Sequence, residues 1–124
     1  MSGNEKKILG AQDIIAQARK QATKEVEVAE WGGTVLIQEF TGKQRDQVDY
    51  LLSSGRRQHG DFRDARGKVV ALALVDSAGN PLFNQTKDLE VINGLSGRVL
   101  DRLCEEIFAF NGMSEGGIIE QKNE

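Results

Sequence analysis

The sequence predicts an α+β fold in which one β-hairpin, over residues 24–40, packs against four to five α-helices in a single small domain. Three observations support this prediction. Strand-like residues flank a Gly-Gly pair at positions 32 and 33, apolar residues elsewhere recur at helical spacing, and 124 residues are enough for one hydrophobic core but not two. We expect a disordered N-terminus over residues 1–7, one domain over residues 8–112 and a flexible C-terminal tail over residues 113–124.

The hairpin prediction begins with Gly32 and Gly33, which can adopt the positive φ angles of a two-residue turn. With such a turn, Val28 lies opposite Ile37. Because side chains alternate across a strand, this register gives the hairpin one apolar face. That face carries Val26, Val28, Val35 and Ile37. An isolated hairpin is only marginally stable in water, so we expect helices to cover this face.

One helix is predicted before the hairpin and one after it. Apolar residues recur close to helical spacing within residues 8–21, which indicates a short amphipathic helix. After the hairpin, Thr41 and Gln44 have the spacing of a capping box, so a second helix begins there, and Val48 starts its apolar stripe. Gly55 is the expected end of this helix.

The stretch over residues 62–75 fits two structures. Its apolar residues keep helical spacing, yet the continuous apolar run over residues 69–75 also fits a buried strand, and periodicity does not decide between them. Residues 76–81, Asp-Ser-Ala-Gly-Asn-Pro, then predict a turn. Leu82 and Phe83 are expected to return the chain to the core.

Two further helices are predicted in the C-terminal half. Thr86 can cap a short helix that extends to Asn93, and Ser96 can cap a longer one. The longer helix has a wide apolar face, and Gly112 follows it as a stop signal. That face comprises Val99, Leu100, Leu103, Cys104, Ile107 and Phe108.

Composition argues against several classes of function. The net charge of −3 and the pI near 5.3 argue against nucleic-acid binding. A basic stretch over residues 56–68 would suit phosphate, but it lacks an aromatic platform, and we favour a solvated connection. No stretch approaches the length of a membrane span, and the first residues lack the pattern of a signal peptide. We therefore expect a soluble, intracellular protein that does not bind membranes.

The residue sets that carry catalysis or bind metals are missing from the sequence. Cys104 is the only cysteine, and its apolar helical position favours a buried, inert thiol. His59 is the only histidine, which excludes a metal site built from histidines of one chain. Phosphate-binding glycine motifs are absent, and residues 76–80 lack an oxygen ligand that a calcium loop needs. We expect no enzymatic activity, no cofactor and no metal.

A protein without these sets works by contact, and Trp31 is the first candidate for that contact. It is the only tryptophan and stands beside the Gly-Gly pair. Such a residue is either an anchor folded onto a helix or an exposed contact for a partner. Burial is the favoured interpretation, because large aromatic residues next to a turn usually cover the end of a core. The candidate partner-binding residues are Trp31, Gly32, Gly33, Leu36 and Phe40.

Several stretches of the chain follow the pattern of a known family. They are residues 8–14, 25–33, 70–76, 82–83, 100–103 and 110–113. The Glu-Trp-Gly-Gly element at residues 30–33 is the most specific of them. Together they resemble the tail assembly chaperones of long, non-contractile-tailed bacteriophages and related prophages. Ala29 replaces a usual proline and Gly10 replaces a helix-capping serine, and both departures affect local rigidity more than function.

The resemblance implies a non-enzymatic chaperone that binds the tape measure protein and helps recruit tail tube subunits. Covering an elongated, partly apolar protein would prevent its aggregation, and repeated coverage implies that the chaperone forms a homo-oligomer. The implied location is the cytoplasm of the host bacterium, with no copies in the mature virion. The resemblance also favours helix for residues 62–75.

Two other functions stay open. One is a small structural tail or connector protein that is retained in the virion. The other is a nucleic-acid-binding regulator that uses the basic stretch over residues 56–68, whose binding would weaken steeply with added salt.

Overall fold

The structure is a computed structural model that describes residues 6–18, 21–57 and 64–113. This part of the chain forms a three-stranded antiparallel sheet and five α-helices in one small domain, which confirms the predicted α+β class. The strands are β1 (Thr23–Val28), β2 (Gly33–Gln38) and β3 (Leu74–Val75), in the spatial order β1-β2-β3. The helices are α1 (Ala11–Ile15), α2 (Gly42–Arg57), α3 (Ala65–Ala73), α4 (Leu89–Asn93) and α5 (Gly97–Phe110).

β1 and β2 form the predicted hairpin, but the link between them is longer than predicted. A 3₁₀ turn, Ala29–Trp31, and Gly32 with a φ of 74° connect the strands, so Val28 lies opposite Gly33 and not opposite Ile37. The register therefore differs from the predicted one by four residues. Because four is an even number, the same side chains stay on the apolar face. On that face Val26, Val28 and Ile37 are buried and Val35 is half-buried.

The apolar run over residues 69–75 contains both helix and strand. α3 ends at Ala73, and the next two residues form β3, which pairs with β2. The prediction of helix for residues 62–75 is therefore wrong at its last two residues, and its first two lie outside the described residues. The Gln38 side chain donates a hydrogen bond of 3.2 Å to the carbonyl of Leu72, which holds the end of α3 against the sheet.

The turn after β3 has the residues and the geometry that were predicted. Asp76 Oδ1 accepts hydrogen bonds from the backbone N–H groups of Ala78 and Asn80, each at 2.9 Å. Gly79 adopts a φ of 88°, which favours glycine, and Pro81 returns to bridge β3. The backbone hydrogen bond from Asn80 is the main reason that the pKa of the Asp76 carboxyl lies below its ordinary value. This carboxylate therefore stabilises the turn.

α3 lies at the centre of the core. Seven of its nine residues are buried, and it packs against α2, α4 and α5. α3 thus has helices on several sides, whereas α5 is amphipathic and contacts both α3 and β1. The buried residues of α5 are Val99, Leu100, Leu103, Cys104 and Ile107. A helix thus packs on the apolar face of the hairpin, as expected.

Two predicted helix starts are confirmed by their hydrogen bonds. At α2, the N–H of Gln44 donates to Thr41 Oγ1 at 3.2 Å, and the N–H of Thr41 donates to Gln44 Oε1 at 2.9 Å, which completes the capping box. At α5, Ser96 Oγ accepts from the N–H of Val99 at 3.4 Å. The start of α4 differs, because this helix begins at Leu89 after Asp88 and has no side-chain cap. In the turn before it, Asn84 Oδ1 accepts from the N–H groups of Thr86 and Lys87.

The C-terminal end of α5 extends the core by one residue. Gly112, with a φ of 69°, ends the helix as predicted. The N–H of Met113 donates to the carbonyl of Phe108 at 2.7 Å, and the N–H of Gly112 donates to Ala109 at 3.2 Å, which is a Schellman motif. This motif returns Met113 to the helix, where it is buried. Met113, which we assigned to the tail, is therefore a core residue, and residues 114–124 lie outside the described residues.

Three other local predictions differ from the structure. α2 continues two residues beyond Gly55, because a glycine inside a helix costs only about 1 kcal/mol and does not by itself end it. Leu82 is exposed and Phe83 alone packs against the core. α1 is much shorter than residues 8–21, and none of its residues is buried.

Candidate functional site

The hairpin tip, which we define as residues 29–33, is attached to α5 by a bidentate ion pair. The two carboxylate oxygens of Glu30 accept hydrogen bonds from the two terminal nitrogens of Arg102, each at 2.9 Å. The hydrogen bond from Arg102 is the main cause that lowers the pKa of Glu30 to about 2, and the charge of Arg98 acts in the same direction. A bidentate pair fixes orientation as well as distance, so the tip has a defined position on α5.

A second contact holds the other end of β1 against the same helix. Lys24 Nζ donates to Glu106 Oε1 at 3.1 Å, and Glu106 lies one turn after Arg102 on α5. Between these two contacts, the buried side chains Val26 and Val28 face the core. The hairpin is therefore held against α5 near both ends of β1, and α5 supports its tip.

Trp31 ends the 3₁₀ turn of the tip and is 39% exposed. The prediction that it is buried is wrong, because the longer link places Trp31 in the turn and not in the strand pair opposite Thr34. Gly32 has the positive φ that was predicted, whereas Gly33 begins β2. Apart from the neighbouring residues in the chain, a Cβ atom at either glycine would meet no heavy atom within 4 Å, so the space beside both glycines is open.

The other two candidate residues lie away from the tip. Leu36 is half-buried in β2, opposite Glu25, on the sheet face that does not carry the buried valines. Phe40 is 8% exposed and belongs to the core, and its N–H donates to Asn111 Oδ1 at 2.8 Å. The structure thus brings together Trp31, Gly32 and Gly33. Leu36 and Phe40 lie away from these three residues.

Glu30 and Arg102, which hold the tip, were not among the candidate residues. Glu30 and Arg102 are 72 positions apart, and no local pattern connects a charge in a turn with a charge on a distant helix. The resemblance did contain a signal, since residues 30–33 and residues 100–103 are two of its matching stretches. In the fold these two stretches meet at the ion pair.

The described residues contain no group of three or more histidine, cysteine or acidic side chains placed to hold a metal ion. Cys104 is buried, as predicted, and burial raises the pKa of its thiol to about 12, which favours the protonated form. Within the basic stretch over residues 56–68, Arg66 forms an ion pair with Asp101 of α5. His59 and Arg63 lie outside the described residues.

None of the helices in residues 6–18, 21–57 and 64–113 combines the length and the apolar character that a membrane span requires.

The fold is similar to that of a protein of known structure. No protein-family model and no curated protein matches the sequence. Among solved structures, the chain is similar to the tail assembly chaperone of bacteriophage HK97, with a TM-score of 0.56 and 20% sequence identity, over 81% of this chain and 94% of that chain. The sequence resemblance is therefore supported at the level of fold, and this protein has a fold like that of a bacteriophage tail assembly chaperone.

Proposed function

We propose that this protein is a non-enzymatic tail assembly chaperone of a bacteriophage or prophage. It binds the tape measure protein, helps recruit tail tube subunits and acts as a homo-oligomer in the cytoplasm of the host bacterium, and it is absent from the mature virion. The observation that carries the proposal is the similarity of fold to the HK97 tail assembly chaperone over most of both chains. The hairpin tip supplies a surface suited to the contact.

The tip has the properties of a binding contact for an apolar helical partner. Trp31 combines a large apolar area with one hydrogen-bond donor, and tryptophan is among the residues that contribute most to binding energy in interfaces. The ion pair between Glu30 and Arg102 fixes the turn before a partner arrives, so binding does not have to order it. The open space beside Gly32 and Gly33 leaves room for the partner's backbone.

A substitution at Trp31 tests whether the tip contacts the tape measure protein. Purified chaperone, either wild-type or Trp31→Ala, is titrated against a soluble fragment of the tape measure protein of the same phage. If Trp31 is a major contact, its loss costs about 2 kcal/mol or more, which weakens Kd roughly 30-fold. Tyr50→Ala is the matched control, because Tyr50 is an aromatic residue on α2 and is 70% exposed. Equal losses from both variants, or from neither, would contradict a specific role of the tip.

Mass spectrometry of purified virions separates this function from the structural alternative. A chaperone leaves before the tail is complete, so its peptides should be absent from mature particles while tube and tape measure peptides are abundant. A stoichiometric amount of this chain in washed virions would instead identify a tail or connector component.

A further inference from the structure

The outer edge of the sheet is open at β1. In the sheet order β1-β2-β3, β1 pairs with β2 on one side only. The N–H of Glu39 donates to the carbonyl of Ala22 at 2.8 Å, which identifies these two residues as a hydrogen-bonded pair. Because such pairs alternate along an antiparallel ladder, the backbone groups of Thr23, Glu25 and Glu27 point away from β2. Within the described residues, no strand pairs with this edge.

The charges beside the open edge decide which strand it can accept. Glu25 and Glu27 are exposed on the outer face of β1, which is the sheet face that does not carry the buried valines. Lys24 lies on the opposite face and is already bonded to Glu106. A second β1 would bring two more glutamates against these two, and like charges that lie opposite each other destabilise a strand pair. Pairing between two β1 strands is therefore disfavoured, and the edge favours an extended segment that carries basic residues.

The same chain contains a segment of this kind. Residues 6–9, Lys-Lys-Ile-Leu, precede α1, have no regular secondary structure and are exposed. Ile8 is 91% exposed, the highest value among the exposed large apolar residues of the described chain. Among the described residues, Lys7 makes only a long contact of 4.0 Å with Asp13, and none of these residues holds its ammonium group more closely.

We propose that residues 6–9 of a second copy add to the outer edge of β1 as an antiparallel strand. Lys7 then lies opposite Glu27, Ile8 opposite Val26 and Leu9 opposite Glu25. Side-chain alternation puts Lys7 on the acidic outer face and Ile8 on the face that α5 covers. The contact joins two different surfaces, the segment of one copy and the β1 edge of another, so a head-to-tail row leaves one free segment and one free edge at its ends.

The inference deepens the self-association within the proposed function and rests on it. A head-to-tail row of copies would put one hairpin tip per copy along an elongated partner. Each single contact is small, so the row would be most stable where a partner holds many copies close together.

Disulfide trapping tests the contact in the full-length chain without any tape measure protein. Directly opposite residues of a hydrogen-bonded pair have Cα atoms about 5.5 Å apart, which a disulfide can span. Under mild oxidation, Lys7→Cys/Glu27→Cys should give a ladder of linked copies on a non-reducing gel. Lys7→Cys/Glu90→Cys is the control, because Glu90 is an exposed glutamate on α4, and it should give no ladder. Cys104 does not interfere, since it is buried.

Each outcome of the trapping experiment has one meaning. A ladder that is lost when Ile8→Asp is added supports the proposal. A disulfide within one copy would show that the segment covers its own edge and would overturn the second-copy assignment, and so would a gel without linked species. A linked dimer with no higher species would show reciprocal exchange between two copies and would overturn the head-to-tail row. If the chain keeps the tape measure protein soluble but forms no ladder, only this contact is wrong. If it forms a ladder but does not affect tape measure solubility, the proposed chaperone function is wrong.

Discussion

α1 and α5 are both amphipathic in sequence, yet only α5 is part of the core. α5 spans fourteen residues, has a serine cap and a Schellman motif, and buries five side chains. α1 spans five residues and buries none, and its apolar residues Ile14 and Ile15 are more than half exposed. An apolar stripe thus predicts that a helix face is buried against something, but it does not predict whether the same chain provides that contact.

The difference also concerns stability. An isolated helix of five residues is far below the length that is stable in water, whereas α5 is stabilised by packing against α3 and β1. We therefore expect substitutions in α5 to change the folding of the domain and substitutions in α1 to change its contacts with other molecules.

The largest expected effect is that of Leu103→Ala in α5. Leu103 is fully buried in the core, so its truncation should lower the free energy of unfolding by about 2–5 kcal/mol through lost burial and a residual cavity. Chemical denaturation followed by circular dichroism measures this change. A decrease of less than about 1 kcal/mol in the free energy of unfolding would show that packing of α5 contributes little to the stability of the core.

A smaller and pH-dependent effect is expected where α5 meets the hairpin tip. The ion pair with Arg102 lowers the pKa of Glu30 to about 2 from an ordinary value of 4.5. Its stabilising contribution is therefore complete above pH 4.5 and is lost as the pH falls towards 2. Both groups are partly exposed, so the contribution is modest and decreases with added salt.

Glu30→Gln isolates this contribution from that of the other carboxylates. The denaturation midpoint of the variant should lie below that of the wild-type protein at pH 6, and the gap should close as the pH approaches 2. A gap that is constant over this range would mean that the carboxylate charge of Glu30 does not stabilise the fold.

The smallest expected effect is that of Ile14→Ser/Ile15→Ser in α1. Because both side chains are exposed, the free energy of unfolding should change by no more than about 0.5 kcal/mol. The comparison with Leu103→Ala uses the same denaturation assay. A loss of 2 kcal/mol or more would contradict the view that α1 lies outside the core.

The parts of the fold that depend on local chemistry were predictable. The capping box at Thr41, the cap at Ser96 and the stop at Gly112 follow from residues within one or two turns of each other. The apolar face of the hairpin was also correct, because a shift of four residues preserves the side of every side chain. These features need no knowledge of distant contacts.

The parts that failed depend on distant contacts. The predicted hairpin link had two residues, whereas the actual link contains a 3₁₀ turn whose Glu30 contacts Arg102. Trp31 lies in this turn and is exposed. The last two residues of the run over 69–75 became a strand because β2 offered a free edge there, which periodicity does not reveal. The structure exposes Trp31 at the tip and places Phe40 in the core, and the role of the candidate residues in partner binding stays a prediction.

The solubility of the tape measure protein tests the central claim most directly. The tape measure protein of the same phage is expressed with and without this chain, and its soluble fraction is measured after centrifugation. We expect most of it to be insoluble alone and soluble when this chain is present. An unchanged soluble fraction, in cells where this chain is itself folded and abundant, would contradict the account.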